Sequence, residues 1–167
     1  MHQLSQDLLH RPVRVLVVGC GGSGSAIAAG LPYLHQSMTV SGHPGGLAVS
    51  IMDGDAISPT NTVRQPFCVS EIGLNKAVVT VSRLNLFWGV HWTAVPEHLA
   101  DTTDLSNVDI VIGCVDTRAA RRRKMSWSPE FRSPRNSPAG RTRRERGGRS
   151  ACATICRRCS CSAAGSA

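Results

Sequence analysis

Short apolar runs rich in valine and isoleucine recur along the first 115 residues. The runs Val13–Val18, Leu47–Met52 and Asp109–Val115 are each followed by a glycine or an aspartate. Runs of this length and composition are typical of strands that are buried on both faces of a parallel sheet. Val90–Val95 alternates apolar and polar residues, and this pattern predicts a further strand.

Segments long enough for helices separate these runs. Gly22–His35 follows the first run, and Ile72–Trp88 follows the second. Pro32 is expected to kink or end the first helix, because proline has no N–H and its ring clashes with the preceding turn. Strands that alternate with helices form βαβ units with right-handed crossovers. The pattern therefore predicts an α/β fold with a Rossmann-like, doubly wound, mainly parallel sheet.

The composition changes within a few residues of Ala120. Residues 1–120 carry a net charge of −3, whereas residues 121–167 carry 13 Lys and Arg against two Glu, so the overall charge of +8 describes neither part. Apolar residues are sparse in the second part, which cannot bury enough surface to offset its ordering entropy. We therefore expect a folded domain over residues 1–121 and a disordered basic tail over residues 122–167. The tail resembles a truncated or frame-shifted translation product.

The end of the predicted sheet has a consequence for association. The pattern shows no strand after Asp109–Val115, so we expect an incomplete sheet whose last strand has an open edge. Open apolar edges pair with other chains, and this predicts a homodimer or an aggregation-prone protein. No run reaches the ~18 apolar residues of a membrane span, and the N-terminus lacks the pattern of a signal peptide, so a cytoplasmic location is expected.

The seven cysteines do not predict a metal site. Four of them form a CxxxCxxCxC pattern in the tail, which lacks the two separated CxxC pairs of a zinc ribbon. The other three, Cys20, Cys68 and Cys114, fall within the predicted body and are expected to be packed residues.

A glycine-rich loop, Gly19–Gly24 (GCGGSG), follows the first predicted strand and opens a helix, as a dinucleotide-type phosphate loop requires. Gly19 permits the tight turn, Gly21 lets the backbone approach a phosphate, and Gly24 lets the helix lie close to the strand. The helix N-terminus adds free N–H groups and a partial positive charge. Asp53 is positioned to hold ribose hydroxyls. It lies 29 residues after Gly24, against ~20 in an NAD site, which disfavours an ordinary dehydrogenase.

The segment that begins at Asp53 reads DGDAISPTNTVRQ and is followed by GLNK. With the glycine loop, it resembles the adenylation domain of the ThiF/MoeB family, relatives of the ubiquitin-activating enzymes. The family signature is GxGGxG, DxD, NxxRQ, GxxK and a later strand ending in Asp. Asp116 fits the last element, Arg121 lies where the family often has arginine, and the resemblance covers residues 12–121. Within the family, GLPYLHQ, GHPGGL, MDGDAISPTN and LNLFWG are similar to the ThiF-like proteins of the plasmid-associated PRTRC gene system.

The resemblance implies ATP-dependent adenylation of the C-terminal carboxylate of a ubiquitin-like or sulfur-carrier protein. Arg64 and Lys76 would neutralise the triphosphate and Asp116 would hold Mg²⁺, which makes these three the expected catalytic residues. Asp55 is expected to brace its turn. The implied nucleotide-binding residues are Gly19, Gly21, Gly22, Gly24, Asp53, Asn61, Arg64, Gln65 and Lys76, with Asn61 and Gln65 either contacting phosphates or shaping the loop.

Other interpretations of the same residues remain open. Arg64 and Lys76 could be solvated surface charges, and Asp116 could cap a helix. Nothing after Ala120 matches the second half of the family, so the chain could be inactive through truncation. One alternative function is nucleic-acid binding through the Arg-rich tail, where we expect only non-specific binding. A second is that of an NAD(P)-dependent enzyme, which the DxD and NxxRQ segments disfavour.

Overall fold

The computed structural model describes residues 6–115 and the backbone of residues 154–157. Four strands and two helices make up the first of these ranges, together with short 3-10 helices over Gln6–Leu9 and Val69–Glu71. In chain order they are β1 (Val13–Val18), α1 (Gly22–Val40), β2 (Leu47–Met52), α2 (Lys76–Trp88), β3 (Thr93–Val95) and β4 (Ile110–Gly113).

The four strands form one parallel sheet with the order β3-β2-β1-β4. The chain moves outward from β1 through β2 to β3 and then returns to the other side of β1 to form β4. The strand order therefore reverses between β1 and β4, where α/β sheets of this kind bind their ligands. This topology confirms the predicted α/β fold with a Rossmann-like parallel sheet.

Both faces of the sheet are covered. One face packs against the two helices through side chains that include Val17, Ile51 and Leu84. On the other face, Leu16 and Val111 pack against Leu105, so the connection between β3 and β4 covers it. Because both faces are buried, the central strands are apolar at nearly every position, and this explains why continuous rather than alternating runs marked them.

Helix α1 differs from its prediction because it continues through Pro32 to Val40. Proline removes one helical hydrogen bond, but Leu31 and Pro32 are both buried, and we attribute the continuation to their packing. Helix α2 begins at Lys76 rather than at Ile72. The Asn75 side chain caps it by accepting a hydrogen bond from the Val78 N–H at 3.1 Å.

A fifth strand, β5 (Thr154–Arg157), pairs antiparallel with β4 along all four of its residues. The expectation that no strand follows β4 is therefore wrong, whereas the disorder expected for the rest of the tail stays a prediction. Composition averaged over a long polar segment hides one short run that can pair with an open edge. The rest of the tail lies outside the described residues, and the expectation of homodimer formation or aggregation stays a prediction.

A buried carboxylate, that of Asp109, ties the start of the chain to the sheet at the edge where β4 begins. It accepts hydrogen bonds from the Arg11 guanidinium at 2.6 and 2.8 Å and from the Arg14 backbone N–H at 2.9 Å. Burial alone raises the pKa of Asp109, but the bonds from Arg11 and Arg14 outweigh it and hold this pKa well below its usual range. Asp109 therefore stabilises the fold as a carboxylate.

Replacing Asp109 by Asn is expected to lower the free energy of unfolding by about 2 kcal/mol at pH 7, because charged hydrogen bonds are lost. A depressed pKa gives stability that is present above the unfolded pKa of 3.8 and is lost as the pH falls towards the folded pKa. In urea unfolding, the difference in the free energy of unfolding between the parent and Asp109→Asn should therefore be smaller at pH 3 than at pH 7. Glu97→Gln, at an exposed position, is the control. Equal stability of Asp109→Asn and the parent at pH 7 would contradict this account.

Candidate functional site

The glycine loop connects β1 to α1 and lies against the end of β4. Gly19 has a φ of +93°, and a Cβ there would lie 2.8 Å from the Cys114 carbonyl oxygen. A Cβ on Gly24 would lie 1.9 Å from the Gly19 carbonyl oxygen. Because both neighbours are backbone atoms, only glycine allows α1 to start this close to the ends of β1 and β4. The α1 N-terminus is thereby held at the reversal point of the sheet.

Gly21 and Gly22 face the turn that contains Arg64 and Gln65. A Cβ on Gly21 would lie 3.8 Å from Gln65 Nε2, and one on Gly22 would lie 3.9 Å from the Arg64 carbonyl oxygen. Arg64 is exposed, and its guanidinium makes no hydrogen bond or ion pair within residues 6–115. The backbone of this turn thus lies close to the first turn of α1, and no carboxylate of the described range pairs with the Arg64 guanidinium.

Gln65 is the second side chain of this turn. Its Oε1 is buried and has no hydrogen-bond partner among the described residues. A buried amide oxygen without a donor is costly, and such a group often marks a place where a ligand or an ordered water completes the bonding. The NxxRQ turn therefore carries an exposed arginine without a partner in the described range, and an incompletely bonded amide beside the glycine loop.

Asn61 organises the same turn from within. Its side-chain Oδ1 accepts hydrogen bonds from the Ser58 N–H at 2.9 Å and the Ser58 hydroxyl at 3.0 Å. Its backbone oxygen accepts from the N–H of Gln65 at 2.8 Å. Of the two roles expected for Asn61, these contacts support the shaping of the loop.

Asp53 links the ends of β1 and β2. Its side chain is buried; Oδ2 accepts a hydrogen bond from the Cys20 N–H, and Oδ1 accepts one from the Asp55 N–H at 2.8 Å. Each carboxylate oxygen can accept more than one hydrogen bond, so both keep acceptor capacity. Asp53 can therefore fix the glycine loop and still accept hydrogen bonds from a ligand.

Lys76 opens α2 and is buried, so the interpretation of this residue as a solvated surface charge is wrong. Its Nζ lies 2.9 Å from Asp55 Oδ2, and its backbone N–H donates to the Asp55 carbonyl at 3.0 Å. Asn75, which the sequence did not single out, donates from its side chain to the Asp53 carbonyl oxygen at 2.8 Å. Its position just before the helix, as a cap, is the signal that could have identified it. The DxD and GxxK segments are thus joined at one edge of the sheet.

The cysteines of the body divide into two kinds. Cys20 is fully buried, its Sγ donates to Thr80 Oγ1 at 3.0 Å, and burial raises the pKa of its thiol. It is a packed, neutral thiol, as expected. Cys114 is half-buried, whereas Cys68 is exposed, so the expectation that Cys68 is packed is wrong. Cys68 lies just before the 3-10 helix Val69–Glu71, and its Sγ accepts a hydrogen bond from Arg83 Nη2 at 3.4 Å.

Several predicted residues lie outside the described range, namely Asp116, Arg121 and the tail cysteines Cys152, Cys159 and Cys161, and of Cys156 only the backbone is described. Within the described residues, no group of three or more His, Cys, Asp and Glu could hold a metal ion. The helices of that same range include none with the length and apolar character needed to cross a bilayer.

Comparisons with known proteins agree with this architecture. The profile of the ThiF family matches residues 2–128. The structure of E. coli tRNA N6-threonylcarbamoyladenosine dehydratase, TcdA, is similar with a TM-score of 0.56 at 24% identity, over 69% of this chain and 46% of TcdA. Its complex with ATP gives a TM-score of 0.52 at 28% identity, over 67% and 48% of the two chains. No curated protein sequence matches. The chain spans about half the length of these solved structures, and it belongs to the ThiF family.

Proposed function

We propose that this chain binds ATP and adenylates a carboxylate, in the manner of the ubiquitin-activating and sulfur-carrier-activating enzymes. The observation that carries the proposal is the convergence of three groups at one edge of the sheet. They are the glycine loop with the Arg64 turn beside it, the buried Asp53 with spare acceptor capacity, and the buried cation of Lys76. ThiF family membership and the similarity to TcdA crystallised with ATP support it.

The reaction needs little covalent chemistry from the protein. A carboxylate oxygen attacks the α-phosphorus of ATP, the bond to the pyrophosphate oxygen breaks, and an acyl adenylate and pyrophosphate result. Negative charge is redistributed over phosphate oxygens, so catalysis depends on positioning and on fixed positive charge. Arg64 and Lys76 would supply that charge, and the free N–H groups of α1 would hold a phosphate.

Two finer assignments belong to the same proposal. The substrate is the C-terminal carboxylate of a ubiquitin-like or sulfur-carrier protein, and Asp116 holds the Mg²⁺ that accompanies ATP; both rest on the signature that the sequence shares with the family. Assignment to the PRTRC-associated subgroup rests on the four segments named above. PRTRC genes beside the coding sequence would support the subgroup assignment. Another reading frame that continues the fold after the codon for Arg121 would show that the chain is truncated.

The alternative functions receive less support. Nucleic-acid binding rests on residues 121–167, of which only the backbone of residues 154–157 is described. An NAD-dependent enzyme would not require Arg64, because the second phosphate of NAD is already esterified and no triphosphate has to be neutralised. The backbone of Arg64 lies beside the glycine loop, and its guanidinium has no partner among residues 6–115, which supports ATP over NAD.

Replacing Arg64 by Ala is therefore expected to weaken the binding of Mg²⁺–ATP by roughly 10- to 100-fold, the effect of one charge-assisted hydrogen bond. Arg64→Lys keeps the positive charge, and its affinity for Mg²⁺–ATP should fall much less. Calorimetry with the full chain measures both, and NAD serves as the comparison ligand, which we expect to bind more weakly than ATP. Tighter binding of NAD than of ATP by the parent protein would refute the proposed function.

A further inference from the structure

The proposed function fixes the direction in which a nucleotide would lie across the sheet, and the inference below rests on it. The glycine loop follows β1, and the ribose-binding acid Asp53 follows β2. The next strand in the sheet is β3. A nucleotide with its phosphates at the loop and its ribose at Asp53 therefore extends its base towards the segment that follows β3. His98 lies in that segment, three residues after Val95.

The imidazole of His98 lies against the backbone of Gly54, the residue directly after Asp53. A Cβ on Gly54 would lie 2.6 Å from Cδ2, 2.6 Å from Nε2 and 2.7 Å from Cγ of His98. Because this Cβ position is nearly equidistant from three consecutive ring atoms, it lies over the face of the imidazole and not beyond its edge. The ring thus packs its face on Gly54, and the missing side chain of this glycine leaves the room for it.

The second face of the ring is available to a ligand. The His98 side chain is 73% exposed, and its Nε2 lies 3.8 Å from Asp55 Oδ1. The other oxygen of Asp55 pairs with Lys76, so Asp55 is itself held in place. The imidazole is therefore supported on one face by the Gly54 backbone and has the Asp55 carboxylate near its edge, next to the proposed ribose site.

We propose that His98 is the stacking platform for the base of the bound nucleotide. A flat π-system that is supported on one face and open on the other suits a purine, and stacking between bases and aromatic rings is favourable for every base. On this proposal His98 contributes affinity for the base and none for the triphosphate, whose binding groups lie at the other end of the site.

The test compares Mg²⁺–ATP with inorganic tripolyphosphate as calorimetric ligands of the full chain. His98→Ala is expected to weaken ATP binding by roughly 5- to 150-fold and to leave tripolyphosphate binding unchanged. His98→Phe keeps a stacking ring and should bind ATP nearly as well as the parent. His91→Ala, which changes an exposed histidine just before β3, is the matched control and should change neither ligand.

Gly54→Ala tests the same geometry without removing the ring. Its new Cβ would displace the exposed imidazole, and the fold should tolerate this because a surface side chain can move. We expect a loss of ATP affinity similar to that of His98→Ala, and no further loss when the two changes are combined.

Two outcomes would overturn the role of His98 while leaving the proposed function standing. One is unchanged ATP binding by His98→Ala, and the other is an equal loss for ATP and tripolyphosphate. Failure of the parent protein to bind ATP would instead overturn the proposed function, and this inference with it.

Discussion

Lys76→Met is expected to weaken the binding of Mg²⁺–ATP by roughly 100-fold without unfolding the protein, at the upper end of the range expected for Arg64→Ala. The ammonium group is buried, and charge interactions are stronger where water is excluded. Methionine fills a similar volume, and the carboxylate it leaves behind, that of Asp55, is 56% exposed and can be hydrated. The loss should therefore appear in nucleotide affinity and not in stability.

A second variant separates two roles of Lys76. If this lysine acts on the nucleotide, Asp55→Asn removes only its internal partner and should leave ATP affinity unchanged or higher. If Lys76 serves only to hold Asp55, then Asp55→Asn and Lys76→Met should cause equal losses. Calorimetry with ATP and urea unfolding of all three proteins distinguish these cases, and equal losses would remove Lys76 from the proposed triphosphate site.

Gly24→Ala is expected to have the largest effect on the fold, a loss of at least about 3 kcal/mol in the free energy of unfolding together with loss of ATP binding. The new Cβ would lie 1.9 Å from the oxygen and 2.9 Å from the carbon of the Gly19 carbonyl. A backbone carbonyl in a tight turn cannot rotate away as a side chain can. The start of α1 would have to move off β1, and the glycine loop would open.

Gly30→Ala is the matched control for this prediction, because it lies in the same helix and its Cβ would meet nothing within 4 Å. Alanine favours a helix interior over glycine, so this change should stabilise the protein by about 0.5–1 kcal/mol. Urea unfolding of the two variants should therefore give shifts of opposite sign. A Gly24→Ala protein as stable as the parent would show that α1 does not approach β1 as closely as described.

The parts of the fold that follow from short stretches of sequence were predicted well. The bounds of β1 and β2 were predicted without error, because valine-rich apolar runs that end at a glycine or an aspartate have few alternatives to a buried strand. The start of α1 at Gly22 was predicted correctly as well, since the glycine loop marks it. Helix ends were predicted less well. Pro32 indicated a break that packing overrides, and the cap at Asn75 lies inside the stretch predicted as helix.

The sequence by itself determined the alternation of strands and helices, the glycine loop and the identities of Asp53, Arg64 and Lys76. Only the tertiary structure decided how these residues are placed: that Lys76 is buried against Asp55, that Arg64 has no partner among residues 6–115, and that the Asp53 carboxylate holds the glycine loop. The same holds for His98, which reaches Gly54 only because β3 lies beside β2 in the sheet. Periodicity and turn chemistry act over a few residues, whereas charge pairing and ring packing depend on which distant segments the strand order brings together.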